Sequence, residues 1–210
     1  MRLTDGDMKQ TAFIGITGGV GSGKSEVLKY LRERTGSRIF CADEEAKKLY
    51  IPGSPVFDRI VSAAGRDILD EKGQPDRARF SEKLFKDRAL REEINGIVHP
   101  AVEGLILDAM ASEKISGKHE FLFIEAALLI ECGYEEILHE IWYVYASEGK
   151  RSERLKATRG YSEEKIRSIF ASQLTEEEYR KHCSRIIDND GSIEDMKASV
   201  DQILKEYRKK

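Results

Sequence analysis

Residues 15–25 read GITGGVGSGKS, and five of these eleven positions are glycine. Glycine loses more conformational entropy on ordering than any other residue, so a chain gathers this many only where backbone must turn sharply or be closely approached. Gly18, four residues, Gly23, Lys24 and Ser25 fit the pattern G-x-x-x-x-G-K-[ST]. Each part has a physical task. Gly19, Gly21, Ser22 and Gly23 let backbone amides converge on phosphate oxygens with little side chain in the way. The helix that follows aims its positive end at the same anion. Lys24 is suited to bridge the β- and γ-phosphates, and the Ser25 hydroxyl to ligate Mg²⁺. The flanks agree. TAFIGIT, residues 11–17, is an apolar, β-branched run that ends at the glycines and reads as a buried strand. In KSEVLKYLRER, Val27, Leu28 and Leu31 recur at helical spacing, and Gly36 closes the helix. Strand, glycine loop and helix together indicate a nucleoside-triphosphate site.

The rest of the chain fits an α/β frame around that loop. SRIFCAD (residues 37–43) reads as a second strand ending in Asp43, with helix in EEAKKLY after it. IPGSP breaks the pattern, and a charged, mainly helical stretch follows to Gly117, with turns expected at EKGQPD and at VHP. There Pro100 would open the helix PAVEGLILDAM. A helical block of this length between two strands reads as an insertion at the sheet edge rather than a crossover. EFLFIEA and EIWYVYA resume the sheet, and an Arg- and Glu-rich helical segment leads to a last strand at RIID. SIEDMKASVDQILKEY closes the chain as an amphipathic helix capped by Ser192. The expected fold is a three-layer α/β/α P-loop kinase with a central parallel sheet. A loose tail over 1–10 would precede a single domain over 11–210, with a helical acceptor lobe at about 51–117 and a helical lid at about 147–182.

Composition narrows the function. The 35 basic and 38 acidic residues are closely intermixed and leave a net charge of -3, which argues against a dedicated nucleic-acid binder. The longest apolar run, FLFIEAALLI, is too short to span a bilayer and is interrupted by Glu125, so no membrane partner is expected. Three scattered cysteines, Cys41, Cys132 and Cys183, suggest free thiols in a reducing cytoplasm. No N-K-x-D segment supports a GTPase. A small-metabolite kinase fits best, because the helical insert can hold an acceptor and the Arg-rich segment can close over it and exclude water. A nucleoside monophosphate or sugar kinase stays open as an alternative. So does a nucleotide-binding regulatory protein.

From Phe13 onward the chain resembles the dephospho-CoA kinase family. IGITGGVGSGKS is similar to that family's opening GLTGGIGSGKS, and CADEEAKKLY to its DADxxAR block. NGIVHPAV resembles its Asn-x-x-x-His-Pro segment, and EAALLIECGY its xPLLFE segment. ASQLTEEEYRKHCSRIIDNDGSIEDM is similar to its closing Q…A…VIDN.G block. The glycine loop alone is shared by many families, and the ordered set of five matches is far more specific. Three departures stand out: Glu26 where the family usually has Thr, Ala127 in place of a proline, and Arg159 one position later than the usual lid arginine.

The resemblance implies ATP and dephospho-CoA as substrates, with Mg²⁺, and CoA and ADP as products. It also implies roles for single residues. Asp43 would orient the attacking ribose 3′-hydroxyl, with helix capping as the plainer alternative. Arg77, His99 and Glu125 would serve the acceptor pocket or, for Glu125, the Mg²⁺ shell. Arg154 and Arg159 would bring charge over the phosphates as the lid closes, and Asn189 would lie in a loop that meets the adenine. Glu26 joins the nucleotide set by position. Lys24→Ala is expected to remove most phosphotransfer while the unfolding midpoint stays near wild type, since the change is local. Near-normal turnover of that variant in an ADP-release assay would contradict the assignment.

Overall fold

The computed structural model describes residues 11–126 and 128–209. The expected tail over 1–10 and the Ala127 departure lie outside the described residues. In chain order the elements are β1 (Ala12–Thr17), α1 (Lys24–Thr35), β2 (Arg38–Cys41), α2 (Ala42–Leu49), α3 (Pro55–Ala64), α4 (Arg77–Lys86) and α5 (Arg88–Ser116). They continue with β3 (Phe121–Glu125), β4 (Glu140–Tyr145), α6 (Glu148–Arg159), α7 (Glu163–Ala171), α8 (Glu176–His182), β5 (Arg185–Asp188) and α9 (Ile193–Tyr207).

Every residue of β1 is buried, as an apolar strand covered on both faces requires. It lies at the middle of a five-stranded sheet in the order β2-β3-β1-β4-β5. β1 runs parallel to β3 and to β4, and β4 runs parallel to β5. The registers pair Ile16 with Glu125, Thr17 with Tyr143, and Tyr145 with Asp188. Parallel strands deliver their carboxyl ends to the same edge, so the loops after β1, β3, β4 and β5 share one rim.

Alternation sends successive side chains to opposite faces. On one face Ile14, Ile16, Phe123, Trp142, Val144 and Ile187 pack with Val27 and Leu31 of α1 and with Met196, Val200 and Leu204 of α9. Burial of each such side chain contributes about 1.5–3 kcal/mol, which holds the two helices to the sheet. On the other face Tyr143 stacks on Tyr179 of α8 with ring centroids 4.7 Å apart. There Gly15 makes room for its neighbours. A Cβ on it would lie 2.8 Å from Leu138 Cδ1 and 3.2 Å from both Ile141 and Leu129 side chains. Of the five glycines in the opening motif, this one belongs to the sheet's packing.

The chain divides into two compact units, one taking the chain up to Phe40 and again from Ser112, the other Cys41–Ala111. The second unit has its own core of Ile60, Ala64, Ile68, Phe80, Leu90, Ile94 and Ile97. Two of its helices begin under a side-chain cap, Ser54 for α3 and Asp76 for α4. One expectation fails here. VHP is no turn, and Pro100 does not open a helix. It lies inside α5, which runs 29 residues without a break. A proline inside a helix forfeits one backbone hydrogen bond and costs about 3 kcal/mol. Burial of Leu90, Ile94 and Ile97 before it and of Ile106 and Ala109 after it outweighs that cost.

Gly15→Val is expected to destabilise the fold by about 1–3 kcal/mol through overpacking. Denaturant titration checks this, and an unchanged midpoint would show that Leu138 and Leu129 yield freely.

Candidate active site

The loop Gly18–Gly23 leaves the carboxyl end of β1 and runs directly into α1. Gly23 precedes the helix in the left-handed region, with φ 90° and ψ 25°. A side chain is strained there, and none caps α1. By contrast α3, α4, α6, α7, α8 and α9 all begin under a Ser, Thr or Asp side chain that accepts from a first-turn amide. The amides of α1's first turn therefore carry the helix's partial positive charge with no side-chain oxygen over them. Ser25 and Glu26 lie in that turn and are both exposed. Lys24 Nζ donates to the Gly18 carbonyl at 2.7 Å, which keeps the ammonium at the loop's own entrance. Gly19, Gly21 and Ser22 form the turn between, closed by the Ser22 amide donating to the Gly19 carbonyl at 3.1 Å. Ser22 is buried, and its hydroxyl has no hydrogen-bond partner among the described residues. A buried hydroxyl left unsatisfied inside a ring of amides fits a loop shaped for an anion.

The far end of the loop is clamped from β5 and α6. Asn189 follows β5, its amide donating to the Tyr145 carbonyl at 2.9 Å. Its side-chain Nδ2 donates to the Ser22 carbonyl at 2.6 Å. Arg154 of α6 donates through Nη1 to that same carbonyl at 3.1 Å and through Nη2 to the Asn189 carbonyl at 2.8 Å. The start of α6 is tied to the same turn, because the Ser147 amide donates to Asp190 Oδ1 at 2.8 Å. The hydrogen bonding from Ser147 holds the Asp190 carboxyl below its usual range. Glu125 ends β3 opposite Ile16 and is half-buried, one residue short of where β1 gives way to the loop.

Other expected residues lie elsewhere. Arg159 is the last residue of α6 and is exposed, its guanidinium 5.9 Å from the Tyr161 ring. Asp43 does not end a strand. β2 stops at Cys41, and the chain enters α2 at Ala42 with no intervening loop, which leaves Asp43 exposed in the first turn. Nor is Asp43 the cap, since Cys41 holds that position without a side-chain hydrogen bond. Arg77 is exposed at the first position of α4. His99 is half-buried within α5. Asp43, Arg77 and His99 all belong to the second unit.

Arg151 and Gln173 touch the loop and are not among the expected site residues. Arg151 Nε donates to the Val20 carbonyl at 2.9 Å, and Gln173 Oε1 accepts from the Val20 amide at 3.2 Å. Both side chains also line a cavity of about 240 Å³ with Tyr143, Phe170 and Tyr179 at the carboxyl end of β4. Burial pushes the Tyr143 and Tyr179 hydroxyls up to about 12, so both are neutral near pH 7. For Arg151 a signal existed, because it shares a helix face with Arg154 three residues on. Gln173 lies in the turn after α7, and its signal in the sequence is its place at the Q that opens the closing Q…A…VIDN.G block.

Asn189→Asp is expected to raise the KM for ATP about tenfold or more, because a carboxylate would replace the donor on the Ser22 carbonyl and lie near a bound polyphosphate. Steady-state kinetics at varied ATP checks this, and an unchanged KM would remove Asn189 from the nucleotide set.

With this geometry in view, known proteins give a consistent picture. A family model described as dephospho-CoA kinase matches residues 12–195. A dephospho-CoA kinase of Carboxydothermus hydrogenoformans is 34% identical over 195 residues, covering 93% of this chain and 94% of that protein. One from Geobacter sulfurreducens is 34% identical over 190 residues, covering 90% and 95%. A crystal structure from Thermus thermophilus superimposes with a TM-score of 0.78 at 30% identity, covering 94% of this chain and 98% of that one. A dephospho-CoA kinase from Campylobacter jejuni shares the fold with a TM-score of 0.69 at 23% identity, covering 94% and 97%. The uncapped helix behind a glycine loop is common to many phosphate-binding families, and the family model over residues 12–195 together with relatives 34% identical over nine-tenths of the chain decides among them: the chain belongs to the dephospho-CoA kinase family.

Proposed function

We propose that this protein transfers the γ-phosphoryl group of ATP to the ribose 3′-hydroxyl of dephospho-CoA, giving CoA and ADP. The observation that carries the reading is the open first turn of α1 behind the Gly18–Gly23 loop, in a chain of this family. In this reading the loop amides and Lys24 grip the triphosphate. The bond between the γ-phosphorus and the acceptor oxygen forms as the bond to the β-phosphate oxygen breaks, with no covalent intermediate on the protein. Asp43 orients the attacking hydroxyl and takes its proton. Arg77 and His99 hold the acceptor, and Glu125 serves the acceptor or the ion. Arg154 and Asn189, already fastened to the loop's end, define the nucleotide side. Arg159 supplies lid charge.

Mg²⁺ fits this donor set. Among the described residues no group of three or more His, Cys, Asp or Glu side chains offers a metal cage, while the exposed Ser25 hydroxyl lies in the uncapped turn. Ser25 and phosphate oxygens would hold the ion, as a small hard cation prefers. Its contribution there is to neutralise phosphate charge. No helix among the described residues is long and apolar enough to cross a membrane, and a cytoplasmic site of action is part of this proposal.

An ADP-release assay offering dephospho-CoA, nucleoside monophosphates and gluconate in parallel tests the reading. Release that depends on dephospho-CoA is expected, and equal release with another acceptor or with none would overturn it. Asp43→Asn is expected to lower turnover about 100-fold or more while the Kd for ATP stays within about twofold. Equal loss of both would make Asp43 merely structural.

A further inference from the structure

Two charged side chains are buried among the described residues, Glu113 and Arg151. Glu113 has close polar partners, the Arg38 guanidinium at 3.5 Å and the His119 ring at 2.6 Å. Arg151 has none of opposite charge within ion-pair range among the described residues. Its Nη2 donates to Gln173 Oε1 at 2.5 Å, its Nε to the Val20 carbonyl, and its guanidinium lies 4.2 Å above the Phe170 ring. These partners are neutral. Glu148 and Glu176 line the same cavity without an ion pair to Arg151, and burial pulls Arg151 below the usual guanidinium range although the Glu148 charge opposes that shift.

The same side chain shapes the loop. Val20 has its carbonyl held by Arg151 and its amide by Gln173, so one peptide segment is gripped on both polar groups. The guanidinium also lies flat against Gly19, where a Cβ would overlap it. Gly19 and Val20 are interior positions of the phosphate loop, and no other side chain among the hydrogen bonds described above reaches them. The fastening therefore comes from α6 and from the turn after α7.

We propose that Arg151 is a positioning residue for the triphosphate: clamped by Gln173, it fixes the Gly19–Val20 turn and sets a desolvated positive charge behind the amide cradle. This rests on the reading of the loop as the ATP site. A buried cation whose direct hydrogen-bond partners are all neutral is costly until an anion arrives close by, and a polyphosphate entering the loop supplies one. Affinity for ATP, and not for the acceptor, then depends on Arg151.

Calorimetric titration of the full chain with Mg·ATP and, separately, with dephospho-CoA tests this on Arg151→Gln, Arg151→Lys and Gln173→Leu, each with its unfolding midpoint. Arg151→Gln is expected to weaken Mg·ATP about tenfold or more and to leave the dephospho-CoA Kd within about twofold. Arg151→Lys, which keeps charge without the planar fork, should recover part of the loss, and Gln173→Leu should weaken Mg·ATP several-fold. If Arg151→Gln does not fold, the other two variants decide. The inference is overturned if the variants bind Mg·ATP as wild type does, or if both ligands weaken together. Wild type binding Mg·ATP without dephospho-CoA would sink the acceptor assignment but not this inference, which the ATP titrations and midpoints still decide.

Discussion

A phosphate cradle made of bare amides cannot hold itself in shape. Glycine removes the side chains that would obstruct an anion, and with them the side chains that would pack the loop down. The shape of Gly18–Gly23 is therefore imposed from outside, by hydrogen bonds onto its own carbonyls and amides. Asn189 and Arg154 hold Ser22 at one end, Arg151 and Gln173 hold Val20 in the middle, and Lys24 returns to Gly18. Each net hydrogen bond is worth about 0.5–1.5 kcal/mol, so four or five together are enough to fix so short a segment.

These fasteners come from different strands because the sheet is parallel. The carboxyl ends of β1, β4 and β5 reach one rim, which brings residues near 20, 150 and 189 together across more than a hundred positions of chain. The aromatic and branched cores on both faces of the sheet make that rim rigid. A fixed rim gives the loop fixed anchors, and a helix whose first turn no side chain covers then points its dipole at the anion.

How much of this was legible in the sequence follows from how local each signal is. The strands were readable because β1, β3 and β4 are continuous apolar runs, and parallel strands buried on both faces must be so. The phosphate loop was readable because its spacing is covalent. Proline's rule is local, while the burial that carries α5 through Pro100 depends on residues about one to three turns away on either side. SRIFCAD reads as a strand ending in Asp43, yet the chain turns straight into helix at Ala42. Gly15 reads from the sequence as part of the first strand, but why that position is glycine shows only in Leu138 and Leu129, far along the chain, which fill its empty side.

By itself the sequence determined the element types, the order of strands and helices along the chain, and the one loop whose glycines and lysine must meet a phosphate. Those features rest on contacts within a turn or two of backbone. Only the tertiary structure decided which arginine faces the loop. Arg151, Arg154 and Arg159 share one helix and one charge, and the sequence reading singles out Arg154 and Arg159 but not Arg151. Position on the rim separates them: the first is buried against Gly19, the second bonded to Ser22, the third left beside Tyr161. Burial and hydrogen-bond geometry depend on neighbours that are distant in the chain, and those neighbours exist only once the sheet has assembled.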